Sequence, residues 1–142
     1  MRADIVPFKK EHALYLCEAV PSFKQYLTLE NVTALEASRY AFTALDKHRG
    51  VVGCAGLIEY WTGRAEAWAM FRPDRTRYFM SIHRAARNFL AICPHNRVEA
   101  TVSCNYANAH RWVKLLGFQM EGERLRRYNP DGSDASLYAK VK

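Results

Sequence analysis

The sequence predicts one α/β domain over residues 1–142, with a mixed central sheet of about six to seven strands flanked by about four helices. Three observations predict this class. The run 51–60 is apolar almost throughout, as expected of a strand covered on both faces. The run 75–92 carries apolar residues every three or four positions, which is typical of a helix packed on a sheet. The predicted order β-α-α-β-β-β-α-β-α-β-β combines successive strands with strand–helix–strand units, and this combination requires a mixed sheet.

The first four elements are indicated by short apolar runs and their breaks. The run 3–8 is short and apolar, which predicts a strand. The run 9–20 has apolar residues at helical spacing, and Pro21 ends it. The run 27–39 offers an apolar side typical of a second helix, and 40–46 changes to the composition of a strand.

The middle of the chain predicts two further strands separated by glycine turns. The turn 47–50 precedes the apolar strand 51–60, and the turn 62–64 follows it. In the next strand, 65–71, three larger side chains alternate with alanines: Glu66, Trp68 and Met70. Because alternate residues of a strand point to opposite faces, these three are expected to share one face.

The C-terminal half predicts two helices and three strands. After Pro73, the apolar stripe indicates a helix over 75–92. Asn105 is a candidate cap for a helix that Gly117 ends, with Leu115 and Phe118 anchoring the corner in the core. The remaining predicted elements are a strand over 97–103, the helix over 106–116, and strands over 118–128 and 136–141.

Composition limits the classes of partner and the setting. The net charge of +7 suits anionic partners such as phosphate groups, nucleic acid or acidic lipids, although a solvated basic surface explains it equally. No signal peptide or membrane-spanning run is present, so a cytoplasmic setting without a membrane partner is expected. The four cysteines form no CxxC pair and the histidines show no paired spacing; free thiols and no metal are therefore expected.

The segment after residue 97 carries the most specific pattern. It contains Asn105, then Leu115-Leu116-Gly117-Phe118, Glu121-Gly122, Gly132-x-Asp134 and Leu137-Tyr138. This segment closely resembles the C-terminal half of the GNAT-type N-acetyltransferases. It is most similar to the branch that includes ribosomal-protein N-terminal acetyltransferases and phage-encoded relatives. The predicted element order fits the GNAT fold over nearly the whole chain, although only the C-terminal third is specific.

The resemblance implies acetyl-CoA as co-substrate, bound where the strands 65–71 and 97–103 part. It implies that the first strand's backbone pairs with the pantetheine amides and that the following helix start holds the pyrophosphate. The residues implied in cofactor binding are Trp68, Met70, Phe71, Arg72, Arg75, Arg77, Asn105, Asn108 and Trp112.

Two positions depart from the family pattern. The family places two glycines where this chain has residues near Tyr78 and Met80, so arginine side chains would replace close backbone approach to the phosphates. The tyrosine that protonates the leaving thiolate in many members corresponds to Val113. Tyr106 and Tyr138 are alternative sources of that proton.

Glu66 is the candidate general base, because several family members keep a catalytic glutamate at the start of this strand. Burial beside Trp68 or Tyr60 would adapt it to that role. The competing interpretation is a strand-end carboxylate paired with Arg64. Glu59 is a weaker candidate for the same role.

Three functions remain open from the sequence. The first is an N-acetyltransferase acting on a primary amine of a small molecule or protein N-terminus. The second is a non-catalytic GNAT-like phage or prophage protein that uses the fold for binding. The third is a nucleic-acid-binding module, which is the least expected because no recognised nucleic-acid motif is present. Pairing into a homodimer is left open.

Overall fold

The computed structural model describes all residues from Met1 to Lys142. The seven strands, in chain order, are β1 Asp4–Pro7, β2 Ala41–Asp46, β3 Gly50–Trp61, β4 Arg64–Phe71, β5 Arg97–Ser103, β6 Gln119–Leu125 and β7 Ala135–Val141. The four α-helices are α1 Lys10–Ala19, α2 Leu29–Ala37, α3 Phe79–Ile92 and α4 Ala107–Leu115, and two 3₁₀ helices span Pro21–Gln25 and Pro73–Tyr78.

The strands form one mixed sheet in the order β1-β2-β3-β4-β5-β7-β6. Strand β2 pairs antiparallel with β1 and with β3, whereas β4 pairs parallel with β5. Strand β7 lies antiparallel between β5 and β6. The mixed α/β class, the seven strands and the four helices confirm the predicted architecture.

The chain divides into two compact units, and the first comprises Met1–Ile58 and Trp68–Ala91. Its core joins helices α1 and α2 to strands β2 and β3, and the buried members are Phe8, Ala13, Leu16, Leu27, Val32, Leu35, Ala41, Val51 and Cys54. On helix α3, the ring of Phe89 packs edge-on against Phe42 of β2, with centroids 5.1 Å apart. The apolar stripe that predicted this helix is therefore a packing surface.

The second unit comprises Glu59–Ala67 and Ile92–Lys142. Its buried residues come chiefly from β5, β7 and helix α4, and they include Val98, Val102, Val113, Phe118, Tyr138 and Ala139. Strand β7 pairs with β5 along one edge, through all seven of its residues, and with β6 along the other. Neighbouring residues of β7, such as Tyr138 and Ala139, are both buried, so both faces of this strand are covered.

The helix predicted over 75–92 begins differently from the prediction. Residues Pro73–Tyr78 form a 3₁₀ helix, and the α-helix starts only at Phe79. Pro73 lacks an N–H group and occupies the first position, where a proline is tolerated. Tighter 3₁₀ turns are common at helix starts, and the apolar spacing alone does not distinguish them from an α-helix.

The corner after α4 confirms one prediction and corrects two. Gly117 has φ +97°, in the left-handed region that glycine tolerates, and Phe118 is buried as expected. Leu115 is 61% exposed and does not anchor the corner. Asn105 is not the helix cap: Tyr106 holds that position, and no side chain caps the helix.

The four cysteines are free thiols; Cys54 and Cys93 are buried, and Cys17 and Cys104 are half-buried. Burial raises the pKa of the Cys54 thiol to about 12, so it stays protonated near neutral pH. No helix in the structure combines the length and apolar composition needed to cross a membrane.

Candidate active site

Strand β4 is the element on which the predicted site depends. Its parallel ladder with β5 contains three residue pairs, from Arg64–Arg97 to Glu66–Glu99. The strand continues to Phe71. Backbone N–H and C=O groups that no neighbouring strand occupies can pair with an added extended chain. The parting of the two strands beyond Glu66 stays a prediction.

The side chains of the later β4 residues pack within the first unit. Trp68 and Met70 lie against the core formed with helices α1 and α2, and the Trp68 ring meets Phe8 edge-on at a centroid distance of 6.1 Å. Phe71 lies over Gly53 of β3, where an added Cβ would overlap its ring. Any ligand pairing with this stretch would therefore use its backbone chiefly.

Trp68 has one unusual atom. Its indole Nε1 is buried and has no hydrogen-bond partner in the protein. A buried indole N–H normally finds an acceptor, because burial removes its bond to water. No pattern in the sequence indicates an unpaired indole N–H at this position.

The three arginines after β4 differ in how far they are already engaged. Arg72 donates two hydrogen bonds to Asp74, at 3.1 and 2.9 Å, and one to the Arg49 carbonyl at 2.7 Å. Its side chain is only 13% exposed, and the Asp74 carboxylate raises the pKa of Arg72. Arg75 and Arg77 take part in no ion pair. These two guanidinium groups are therefore the ones available to an anion.

The two positions that hold glycine in the family differ sharply here. Tyr78 is fully buried, and its hydroxyl donates a 2.6 Å hydrogen bond to Asp46. This bond raises the pKa of Tyr78 and lowers that of Asp46. Met80 is 66% exposed. Tyr78 is thus a structural residue, and its side chain rules out the close backbone approach that glycine would give.

Glu66 is half-buried and accepts a hydrogen bond from the Tyr60 hydroxyl. The nearby carboxylate raises the pKa of Tyr60 to about 12. The alternative in which Glu66 pairs with Arg64 is wrong, because Arg64 bonds to Glu99 at 2.7 and 3.0 Å. Glu59, the weaker candidate base, lies 2.5 Å from Nε2 of the buried His95.

A charged network lies beside Glu66 in the second unit. Glu99 accepts hydrogen bonds from Arg64 and, at 2.7 Å, from Arg97, which also donates to both carboxylate oxygens of Glu121. Arg64 and then Arg97 lower the pKa of Glu99 to about 2. The Arg64 guanidinium also lies over the rings of Tyr60 and Trp61, at 4.8 and 4.6 Å. These partners lie far apart in the sequence, so spacing did not reveal them.

The late helix contributes less than expected. Asn105 and Asn108 are exposed and Trp112 is half-buried, and the roles predicted for them in cofactor binding stay predictions. Val113, at the position of the family's tyrosine, is buried and carries no proton to donate.

The two tyrosines predicted as alternative proton donors differ in their exposure. Tyr106 is 67% exposed. Tyr138 is fully buried, with its hydroxyl 2.7 Å from Nδ1 of His110, whose Nε2 donates to the Ser103 carbonyl at 3.0 Å. Because a carbonyl only accepts, Nε2 carries the proton and Tyr138 donates to Nδ1 in the neutral imidazole. Tyr138 is therefore a structural residue, and burial raises its pKa.

Comparisons with known proteins support the fold. No protein-family profile matches the chain, and no curated protein sequence matches it. Among solved structures, Ard1 from Thermoplasma volcanium has a TM-score of 0.80 at 19% identity, covering 99% of this chain and 98% of that one. A spermidine N-acetyltransferase SpeG chimera from Vibrio cholerae and hSSAT has a TM-score of 0.72 at 16% identity, with coverages of 99% and 96%.

A GNAT-family acetyltransferase from Bacillus anthracis is similar to the same degree, with a TM-score of 0.71 at 16% identity over 99% of this chain and 95% of that one. The chain therefore has the fold of the GNAT acetyltransferases over essentially its whole length. At identities this low the likeness establishes the fold, and activity has to be argued from the residues.

Proposed function

We propose that the chain is an N-acetyltransferase that moves the acetyl group of acetyl-CoA to a primary amine. Strand β4 carries the proposal. It pairs with β5 from Arg64 to Glu66, and its backbone continues to Phe71. Arg75 and Arg77, which form no ion pair, follow in the 3₁₀ helix Pro73–Tyr78. A base, an extended backbone and a phosphate-binding charge thus stand in the order that an acyl-CoA molecule needs.

The chain's own groups divide the binding work. The backbone of Trp68–Phe71 pairs with the pantetheine amides, as an added strand would. Arg75 and Arg77 bind the phosphates through charge-assisted hydrogen bonds, in place of the close backbone approach that Tyr78 prevents. Arg72 holds the turn in place through Asp74 and the Arg49 carbonyl.

Glu66 supplies the base. The amine nitrogen attacks the thioester carbon, the C–S bond breaks, and the sulfur leaves as a thiolate. Glu66 takes the proton that the nitrogen loses, and the thiolate takes a proton from water, since Val113 at the position of the family's tyrosine has no proton to donate. The Tyr60 hydroxyl, bonded to Glu66, fixes the orientation of the carboxylate.

The acceptor is a primary amine of a small molecule or a protein N-terminus. Spermidine is included because solved relatives are spermidine N-acetyltransferases. A cytoplasmic setting and a homodimeric state belong to the same proposal, and neither is needed for the chemistry.

A non-catalytic GNAT-like binding protein is the second candidate. Two observations favour it: Tyr78 fills a position where the family has glycine, and Val113 replaces the family's proton donor. A chain of this kind would fail to transfer acetyl groups even if it kept affinity for CoA.

A transfer assay decides between the two. Purified chain is incubated with acetyl-CoA and a panel of amines, including spermidine and peptides with free N-termini, and released thiol is followed. We expect release with at least one amine. If no thiol is released with any amine, although acetyl-CoA is present at a concentration that saturates the protein, the second candidate is supported.

Replacing the base sharpens the assay. We expect Glu66→Gln to lower kcat by about 100-fold or more, because positioned general bases contribute roughly 10²–10⁴, while the Kd for acetyl-CoA stays within about twofold. Glu123→Gln is the matched control, since Glu123 is exposed and should leave both constants unchanged. Equal losses of turnover and affinity in Glu66→Gln would remove Glu66 from the role of base.

A further inference from the structure

The Trp68 indole N–H is a buried donor that no group of the protein satisfies. A phenylalanine would also place an aromatic ring against Phe8 and the α1–α2 core, without leaving a polar group unpaired. Specific unsatisfied groups of this kind call for a physical explanation, and a ligand acceptor is one such explanation.

The position of Trp68 in strand β4 indicates which oxygen of a bound acyl-CoA would accept this hydrogen bond. Alternate residues of a strand share a face, so Trp68 is the next residue after Glu66 on the same side of β4. The rise along a strand puts such neighbours roughly 7 Å apart. The pantetheine amides are expected to pair with the β4 backbone, which leaves the thioester carbonyl as the ligand acceptor nearest the base.

We propose that the Trp68 indole N–H donates a hydrogen bond to the carbonyl oxygen of the bound acetyl thioester. This inference rests on the proposed function. As the amine attacks, negative charge develops on that oxygen, and a fixed N–H donor stabilises it most at that point. The N–H bond itself stays intact, so Trp68 polarises the carbonyl and transfers no proton.

Access to this N–H depends on the indole ring. The Trp68 side chain is only partly buried, whereas its nitrogen is covered by the protein. Binding therefore requires the ring to turn, or the residues covering its nitrogen to move, as the thioester enters. A donor hidden from water until the ligand arrives meets no competing acceptor beforehand.

The test removes either partner of the bond. Trp68→Phe deletes the N–H and keeps an aromatic ring, and S-ethyl-CoA replaces the thioester carbonyl with a CH₂ group. The Kd of each ligand is measured for both proteins, together with kcat for acetyl transfer. Trp61→Phe is the control, because Trp61 is 60% exposed and does not belong to the core against which Trp68 packs.

We expect Trp68→Phe to lower kcat/KM for acetyl transfer by about 100-fold, the scale of losing one oxyanion donor. The variant should weaken acetyl-CoA binding several-fold and leave S-ethyl-CoA binding within about twofold. Its midpoint in urea should fall modestly, because the smaller ring leaves a cavity against the core while an unpaired donor is removed.

Two results would overturn the assignment. They are an equal loss of affinity for both ligands, or no loss of affinity or turnover with acetyl-CoA. If the wild-type chain binds neither CoA ligand, the proposed function fails, and this inference fails with it. Binding by the wild type with either of the two results refutes the Trp68 assignment alone.

Discussion

Five arginine side chains around strand β4 are of two kinds. Arg64, Arg72 and Arg97 each hold a carboxylate at 3.0 Å or less, and their side chains are no more than about a third exposed. Arg75 and Arg77 hold none. The first kind ties together distant parts of each unit, and only the second can contribute its full charge to a bound anion.

Glu99, the carboxylate held by Arg64 and Arg97, tests how much these paired arginines stabilise the fold. Its pKa of about 2 in the folded chain lies below its usual value of 4.5, so it stabilises the folded state above pH 4.5. That contribution is lost as the pH falls from about 4.5 to 2. Because the arginine partners are partly exposed, we expect Glu99→Gln to cost about 1–3 kcal/mol at pH 7 and much less near pH 3.

The measurement is urea unfolding of the wild type and Glu99→Gln at several pH values between 2 and 7. Glu123→Gln is the control and should change the free energy of unfolding by less than about 0.5 kcal/mol. A deficit in Glu99→Gln that is as large at pH 3 as at pH 7 would show that the pair is not what stabilises the fold.

Arg75 and Arg77, which hold no carboxylate, test whether unpaired arginines bind the phosphates of acetyl-CoA. We expect the double variant Arg75→Gln/Arg77→Gln to weaken acetyl-CoA binding by about tenfold or more, since each charge-assisted contact to a phosphate contributes roughly 1.5–3 kcal/mol when fully made. The unfolding free energy should change little, because neither side chain forms an ion pair. Titration calorimetry at two salt concentrations measures the effect.

Arg84→Gln/Arg87→Gln is the matched control for that prediction. Both arginines are exposed on helix α3 and removal of them changes the net charge by the same amount. An equal loss of affinity in the control would mean that general surface charge, and not a defined phosphate site, attracts the ligand.

At the scale of elements, every strand and α-helix could be predicted because each has its own local signal. Apolar periodicity located α3 and β7, and Gly117 marked the end of α4. The start of α3 was placed too early, since a 3₁₀ turn and an α-turn tolerate the same residues after Pro73. Strand β6 ends at Leu125, earlier than the predicted residue 128, and Arg127 has a positive φ of 53° that begins the turn.

A substitution at Gly53 of strand β3 tests whether the position of the β4 backbone controls acetyl-CoA binding. An added Cβ at Gly53 would overlap the Phe71 ring and the Met70 carbonyl of β4. We expect Gly53→Ala to destabilise the fold by about 1–3 kcal/mol, as overpacking does, and to weaken acetyl-CoA binding about tenfold because the β4 backbone is displaced.

Gly56→Ala separates these two effects. Its Cβ would overlap the Tyr40 carbonyl and Ala41, at the β2 side of the same strand and away from β4. We expect a similar loss of unfolding free energy, with the acetyl-CoA Kd of the folded protein unchanged. If both variants lose affinity equally, general destabilisation, and not the position of β4, controls binding.

At the scale of the molecule, the sequence predicted the fold better than the site. Element order and the segment from Asn105 to Tyr138 were enough for the GNAT fold, which the solved structures of acetyltransferases confirm. Site residues depend on side chains that meet across strands: Tyr60 with Glu66, Arg64 with Glu99, and His110 with Tyr138. Such pairs have no fixed spacing, so periodicity and motifs do not find them.

The same distinction explains which site residues change meaning in the structure. Arg72 is held by Asp74, and its predicted role in phosphate binding stays a prediction, whereas Asn105 caps no helix. Glu66 keeps its place as candidate base because its supposed partner, Arg64, is committed elsewhere. The roles of Glu66, Arg75 and Arg77 toward a ligand stay predictions.

Calorimetric titration of acetyl-CoA into the wild-type chain tests the central proposal most directly. The account predicts saturable binding of one acetyl-CoA per chain with a Kd in the micromolar range, accompanied by a rise in Tm that grows with ligand concentration. Absence of heat and of any Tm shift up to millimolar acetyl-CoA would contradict it.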